Sequence, residues 1–148
     1  MVGAGFNADR HNARRLAQYL GETPEQTAQY FRSSVGSTVA PTKDYPAWLG
    51  EVIVHGQDIA RPLGIDLAPD PAAVHEVARY FVAKDFAVNS RTLVKGLTLS
   101  ATDADFGAGQ GPLVRGPLLD LVMVMAGRAS FLDGLDGDGV SELRSRLV

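Results

Sequence analysis

The segment Trp48–Gly64 reads WLGEVIVHGQDIARPLG, and its pattern predicts a helix with two different sides. At 3.6 residues per turn, Glu51 and His55 lie one turn apart, and Asp58 follows about one turn later on the same side. The residues expected on the apolar side are Val52, Ile53, Ile59 and Ala60, with Leu49 close by. An unpaired buried charge is costly, and a metal ion is a common partner for a Glu and a His at this spacing. The segment therefore predicts a bundle helix that offers two metal ligands.

A simpler interpretation of Glu51 and His55 stays open, because a Glu and a His four residues apart also form weak pairs on exposed helices. A catalytic zinc needs a third protein ligand, and a hydrogen-bond partner usually holds each ligating imidazole. Asp58 is positioned either to be that partner or to pair with Arg61.

The chain contains three histidines. His11, in the segment DRHNARR, is a candidate third ligand, but its charged neighbours favour a solvated helix face. His75 lies near the start of a later predicted helix and is interpreted as a surface residue. The residues alone therefore indicate two ligands and leave the third open.

The composition excludes several classes of protein. With 14 basic and 17 acidic residues the formal charge is −3, and basic residues are scattered, so nucleic acid and membrane surfaces are not expected partners. Because the chain has no cysteine, any thiol chemistry must use a thiol carried by a ligand. The most apolar run, Pro117–Ala126, is shorter than the roughly 20 residues that span a bilayer. Since no charged leader precedes an apolar stretch, we expect a cytoplasmic protein.

Two helices are predicted before the central segment. Ala8–Leu20 has apolar residues at helical spacing. Thr23 is expected to cap a second helix, which has Pro24 at its first position and runs to about Val35. The residues expected to form its buried stripe are Ala28, Phe31 and Val35.

Prolines are expected to delimit the central helix, with Pro46 at its start and Pro62 at its end. The first part of the chain thus offers three helices, whereas a bundle normally contains four. A linker with two prolines follows at Asp66–Pro71, and we predict a domain boundary there, between residues 1–66 and 67–148.

The second part is predicted to be a small α+β unit. Asp70 is expected to cap a helix that ends near Lys84. The residues expected to point inward from it are Val74, Val77, Ala78, Phe81 and Val82. A half-buried strand is predicted where apolar residues alternate with polar ones, at Leu97, Leu99 and Ala101. Leu113–Arg115 is expected to pair with this strand. Two further helices are predicted, one that starts at Gly116 and Pro117 and runs to about Ala126, and one over Val140–Leu147. The glycines expected to form the hairpin connection between the two strands are Gly107, Gly109 and Gly111.

Two stretches resemble the mycothiol-dependent maleylpyruvate isomerase family. They are WLGEVIVHGQDIARPLG and, from residue 97 to residue 128, LTLSATDADFGAGQGPLVRGPLLDLVMVMAGR. Members of that family join a DinB-like helical metal-binding bundle to a small domain similar to sterol carrier proteins. The resemblance covers the chain from about Gly5 to Leu147 and is most specific in the segment E-V-x-V-H-G-x-D-I. It implies an α+β fold with an incomplete DinB-like bundle over residues 1–66 and a sterol-carrier-like domain over residues 67–148.

The resemblance also implies roles for individual residues. In that family the Glu and His of this motif are metal ligands, here Glu51 and His55, and the third ligand is a histidine on an earlier helix. The resemblance implies that the opening helix or helices of the bundle are missing. We therefore expect weak metal binding and an apolar face that either forms a homodimer or is unstable. A C-terminal arginine assists an anionic substrate in the family. Arg115 and Arg128 are our candidates, because a guanidinium matches a carboxylate; the alternative for each is a surface arginine near a helix end.

The function implied is that of a metalloenzyme using zinc, or another divalent metal, and the cofactor mycothiol. A metal-bound thiol is deprotonated near neutral pH and becomes a strong nucleophile. That chemistry suits a maleylpyruvate isomerase-like enzyme or a thiol S-transferase acting on a small molecule, including a carboxylate. Because a shared fold does not fix chemistry, the alternative is a non-catalytic small-molecule-binding or dimeric scaffold protein that has lost the metal site.

Overall fold

The computed structural model describes residues 8–39 and 42–147, without the side chains of residues 8 and 11. The fold is α+β, as predicted, with helices and one three-stranded sheet. The chain divides into two compact units, Met1–Pro41 and Thr42–Val148, and each is described by itself.

The first unit contains α1, Ala8–Tyr19, and α2, Pro24–Ser33. The predicted cap of α2 is confirmed, because Thr23 Oγ1 accepts a hydrogen bond from the backbone N–H of Gln26 at 3.2 Å. Pro24 occupies the first turn, where its missing N–H costs nothing. Local chemistry therefore fixes where α2 begins.

The predicted buried stripe of α2 is wrong. Phe31 and Val35 are 78% and 82% exposed, and α2 has no buried residue. The helix also ends at Ser33, and Ser34 Oγ donates to the carbonyl oxygen of Phe31 at 2.6 Å just beyond its end. Helical spacing identifies an apolar face, but it does not supply a surface that covers it.

The second unit begins with α3, Tyr45–Ala60, which continues into a 3₁₀ turn at Arg61–Leu63. The predicted limits at Pro46 and Pro62 are confirmed, since Pro46 lies in the first turn and Pro62 lies in the 3₁₀ turn. Helix α4, Pro71–Ala83, is capped by Asp70 Oδ1, which accepts from the backbone N–H groups of Ala72 and Ala73 at 2.9 and 3.1 Å. The buried residues of α4 match the prediction except that Val82 is only partly buried: Val74, Val77, Ala78 and Phe81.

The predicted apolar side of α3 is only partly correct. Ile53 and Ala60 are buried, whereas Val52 and Ile59 are exposed. The buried face follows positions i, i+3, i+4 and i+7, at Gly50, Ile53, Val54 and Gln57. It is rotated away from Val52 and Ile59 because α3 packs against α4 on this face.

Gly50 lets α3 and α4 approach closely. A Cβ atom at this position would lie 3.3 Å from Cζ of Phe81, which is tighter than ordinary packing. The absence of a side chain therefore makes room for the Phe81 ring beside the next residue of α3, Glu51.

Three short strands form the sheet, in the order β2-β1-β3: β1 is Thr98–Ala101, β2 is Gly107–Gly109 and β3 is Leu113–Gly116. The predicted hairpin is wrong, because β1 and β3 are parallel, with Leu99 opposite Val114. The glycine-rich segment is instead an antiparallel strand, with Leu99 opposite Ala108. Gly109 has φ +79° and approaches the carbonyl oxygen of Leu97, so only glycine fits there.

Helix α6, Leu118–Met125, contacts α4, β1 and β3 and lies at the centre of the core. Its buried residues are Leu118, Leu121, Val122, Met123, Val124 and Met125. The short helix α5, Ser90–Leu93, precedes the sheet. A 3₁₀ segment at Ala129–Gly134 and α7, Val140–Arg146, follow α6. The last two predicted helices are thus confirmed.

The position of α3 bears on the domain organisation. The predicted boundary after residue 66 assigns α3 and α4 to different domains, whereas α3 packs on α4 inside the unit Thr42–Val148. The division of the chain after residue 66 into a DinB-like and a sterol-carrier-like domain stays a prediction. Within the described residues, no helix combines the length and the apolar character needed to cross a bilayer.

Candidate metal and ligand site

Helix α3 brings together the three polar residues singled out in the sequence. His55 Nε2 lies 3.2 Å from Glu51 Oε2, one turn earlier. On the other edge of the ring, His55 Nδ1 lies 3.1 Å from Asp58 Oδ2. The imidazole is therefore placed between two carboxylates.

Asp58 pairs with Arg128 and not with Arg61. Arg128 donates from Nε to Asp58 Oδ1 at 3.1 Å and from Nη2 to Oδ2 at 2.6 Å, a two-point pair. The hydrogen bonds from Arg128, reinforced by that from His55, hold the pKa of the Asp58 carboxyl below its ordinary value. Arg61 instead donates to the carbonyl oxygen of Ser130 at 3.1 Å and stacks on the Phe131 ring.

These contacts bear on which tautomer the His55 ring adopts. An ionised Asp58 can only accept hydrogen bonds, so the 3.1 Å contact is a hydrogen bond only in the tautomer that has the ring proton on His55 Nδ1. Nε2 of the same ring then faces the carboxylate oxygen of Glu51 at 3.2 Å. When Nε2 is unprotonated, its lone pair and the Glu51 carboxylate face each other as two donor atoms that could hold a metal ion.

The cluster is not deeply buried. The side chains of His55 and Glu51 are 61% and 46% exposed, whereas those of Arg128 and Asp58 are 26% and 34% exposed. An exposed Glu–His pair of this kind is also what an ordinary helix surface carries. The more buried half of the cluster is thus the Asp58–Arg128 pair.

A cavity of about 220 Å³ adjoins the pair. The acidic and basic residues of its lining are Glu51, His55 and Arg128. Ser90 also lines it, and Ser90 Oγ donates to the carbonyl oxygen of Lys84. The other lining residues include Val54, Tyr80, Phe81, Phe86 and Val88. The arrangement combines apolar walls with a few convergent polar groups, as small-ligand sites do.

The structure separates the two predicted arginines. Arg128 lines the cavity, next to Glu51 and His55. Arg115 lies on β3 and pairs through Nε and Nη2 with Asp136 at 3.0 and 3.2 Å, and both of these side chains are more than half exposed. Asp136 raises the pKa of the Arg115 guanidinium. A substrate role for either arginine stays a prediction.

A third metal ligand is not found in the described part of the chain. Among residues 8–39 and 42–147, no group of three or more His, Asp or Glu side chains is arranged to hold a metal ion. The candidate third ligand His11 belongs to α1, but its side chain lies outside the described residues. Nε2 of His75 lies 3.1 Å from the carbonyl oxygen of Asp105, and the His75 ring meets Phe106 edge-on.

Sequence reasoning missed the residues that build the cavity. Phe81 was expected only as a core residue of α4, and Phe86, Val88 and Ser90 were not singled out. Residues from α3, α4, the loop before α5 and the end of α6 meet here, so no single periodic pattern contains the signal. The glycine that lets α3 approach α4, Gly50, is the one local hint.

Comparison of the chain with protein-family models, with curated proteins and with solved structures finds no match.

Proposed function

We propose that this chain is a metal-dependent enzyme of the mycothiol-dependent maleylpyruvate isomerase family, acting as an isomerase or as a thiol S-transferase. The observation that carries the proposal is the approach of Glu51 Oε2 and His55 Nε2 to 3.2 Å on α3, beside a cavity. The DinB-like and sterol-carrier-like domains, divided at residue 66, and a cytoplasmic location belong to the same proposal.

The donor set fits a divalent metal at two positions. Two nitrogen or oxygen ligands of tetrahedral zinc, each about 2.0–2.1 Å from the metal, lie about 3.3–3.4 Å apart. The separation of 3.2 Å between Glu51 and His55 is close to that value. Asp58 behind Nδ1 of His55 supplies the hydrogen-bond partner that ligating imidazoles commonly have.

Zinc bound with mycothiol would supply a thiolate nucleophile near neutral pH, suited to addition to an activated double bond or to S-transfer. Glu51 and His55 would hold the metal, and Asp58 would keep the imidazole in the ligating tautomer. The apolar side chains of the cavity, including Phe81 and Phe86, would contact the apolar part of a bound substrate. The cavity, at about 220 Å³, is smaller than the roughly 300–1,000 Å³ of typical ligand pockets, so only a small substrate would fit inside it. A carboxylate substrate is part of the proposal. Of the two candidate arginines, Arg115 does not line the cavity and pairs with Asp136, whereas Arg128 lines the cavity and already pairs with Asp58.

Zinc binding to the purified chain tests the proposal. We expect about one zinc per chain in metal analysis after dialysis against buffer that contains zinc, and we expect Glu51→Ala and His55→Ala each to abolish it. His75→Ala is the matched control, because it removes a histidine of the same unit that is bonded to a backbone carbonyl. A wild-type chain that stays metal-free in excess zinc would contradict the proposal.

A thiol-transfer assay tests the chemistry separately. Mycothiol with an electrophilic small-molecule acceptor should form a thioether in the presence of the zinc-loaded chain, and His55→Ala should return the rate to the uncatalysed value. Glutathione in place of mycothiol is the matched control for cofactor identity. A rate that equals the uncatalysed one with bound zinc would leave a metal-binding protein without this activity.

The second candidate is a non-catalytic small-molecule-binding protein, including a dimeric scaffold. It is favoured by a second cavity, of about 480 Å³, which is within the usual size of ligand pockets. Arg91 and Lys95 line this cavity together with apolar residues, among them Val82, Val94, Leu97, Leu99 and Ala108. A metal-free chain that binds an anionic apolar ligand, with affinity reduced by Lys95→Ala, would favour this candidate.

A further inference from the structure

We infer that Arg128 is a positioning residue, which fixes Asp58 so that Asp58 holds His55 in the Nδ1–H form with Nε2 facing Glu51. The link to zinc rests on the proposed function. The hydrogen bonds that carry the inference do not depend on a metal.

The backbone of Arg128 is fixed by the end of α6. Gly127 adopts φ +88°, the left-handed conformation that commonly ends a helix. Its N–H donates to the carbonyl oxygen of Val124 at 2.8 Å, and the N–H of Arg128 donates to that of Met123 at 3.0 Å. This pair of bonds is a Schellman motif. Because Met123 and Val124 are buried, Arg128 starts from a rigid part of the core.

The side chain of Arg128 is then directed at Asp58 and not left free. Nη1 donates to the carbonyl oxygen of Ala126 at 2.6 Å, which fixes one end of the guanidinium. Nε and Nη2 form the two-point pair with Asp58. A substrate carboxylate would have to compete with Asp58 for this same edge of the guanidinium, so the geometry favours positioning over substrate binding.

Asp58 passes this constraint to His55. Asp58 Oδ2 accepts from Arg128 Nη2 at 2.6 Å and from His55 Nδ1 at 3.1 Å. With one rotamer of Asp58 fixed, the ring has one preferred orientation and one preferred tautomer. Without Arg128, the carboxylate can rotate away from the ring, and the Nε2–H tautomer, which free imidazole side chains favour, becomes accessible.

Ring nitrogen NMR of His55 in the metal-free protein tests the inference directly. At one fixed, mildly alkaline pH, the wild type should show a protonated Nδ1 and an unprotonated Nε2. Arg128→Met should raise the share of the Nε2–H tautomer, and Arg128→Lys, which keeps the charge without the fork, should restore the wild-type pattern only in part. A ring pattern in Arg128→Met identical to that of the wild type would overturn the inference.

Arg115→Met is the matched control, because it removes another two-point Arg–Asp pair of the same unit and should leave the His55 ring unchanged. Gly127→Ala is an independent variant. It keeps the guanidinium but disfavours the backbone conformation at φ +88° that directs Arg128, so it should shift the tautomer in the same direction as Arg128→Met. Circular dichroism checks that each variant is folded, and Gly127→Ala and Arg128→Lys carry the test if Arg128→Met unfolds.

Zinc titration extends the test to the proposed function. Loss of an outer partner of a ligating histidine weakens metal binding by about 10–100-fold, and we expect a loss in this range for Arg128→Met and no change for Arg115→Met. If the wild type binds no zinc while Arg128→Met still changes the tautomer, the proposed function fails and the positioning role stands. If zinc binds and Arg128→Met changes neither property, the positioning role alone fails.

Discussion

Helices α2 and α4 begin with the same local signals, but only α4 has a buried face. Each has a polar capping residue, Thr23 or Asp70, followed by a proline in the first turn. Yet α2 has no buried residue, whereas four residues of α4 are buried. The comparison shows that local signals suffice to start a helix, while burial of its apolar face depends on what packs against it.

The largest difference is expected from removing one phenylalanine from each helix. Phe81→Ala should lower the free energy of unfolding by about 3–5 kcal/mol, because it leaves a cavity between α3 and α4. Phe31→Ala should change it by less than about 0.5 kcal/mol, because Phe31 is exposed. Urea unfolding followed by circular dichroism gives both values. A loss in Phe31→Ala as large as that in Phe81→Ala would show that the face of α2 is covered in solution.

A smaller difference is expected from removing the caps. Asp70→Ala breaks two hydrogen bonds to the first turn of α4 and should lower the free energy of unfolding by about 1 kcal/mol. Thr23→Ala should lower the free energy that stabilises α2 by a similar amount. We expect this loss to appear as faster amide exchange within α2 and not as a shift of the unfolding midpoint of α4. Asp70→Asn, which preserves the accepting oxygen, is the control and should stay close to the wild type. Equal midpoint shifts in Asp70→Ala and Thr23→Ala would remove the distinction between the two helices.

The smallest effect on the free energy of unfolding is expected from replacing the carboxyl group of Asp120, on α6. Burial raises the pKa of Asp120 above its ordinary value of 3.8. The folded state therefore holds this proton more tightly than the unfolded state does, so the stability it contributes is present below pH 3.8 and is lost as the pH rises through the folded-state pKa.

Asp120→Asn removes this dependence. The stability of the wild type relative to Asp120→Asn should fall between pH 4 and pH 7, measured by urea unfolding at several pH values. Asp66→Asn, which replaces an exposed carboxyl group, is the control for the general effect of losing one negative charge. A wild type that gains stability relative to Asp120→Asn over this range would contradict the assigned direction.

Much of the fold was predictable because its signals are local. The cap and proline pairs located α2 and α4, and alternation located β1. The pairing of β1 with β3 was expected as a hairpin and is parallel, because the sequence between them contains a third strand whose glycines read as a turn. Strand direction depends on contacts between distant residues, which alternation does not encode.

Like the fold, the candidate site was predictable only where its signals are local in the sequence. Helical spacing alone places Glu51, His55 and Asp58 on one side of α3. The choice of Arg128 as the partner of Asp58 was not predictable, because these residues are 70 positions apart and the nearer Arg61 offered the simpler pairing. Their roles toward a metal and a substrate stay predictions.

The sequence by itself determined the helices, their caps and the order of the polar residues along α3, since these depend on backbone geometry and neighbours within one or two turns. Only the tertiary structure decided which apolar faces are buried, how the strands pair and which arginine reaches Asp58. Those outcomes depend on packing free energy and on close approach between residues far apart in the chain. Short-range patterns do not contain that information. Helices α2 and α4 therefore have the same kind of N-terminal cap, but only α4 is packed against the core.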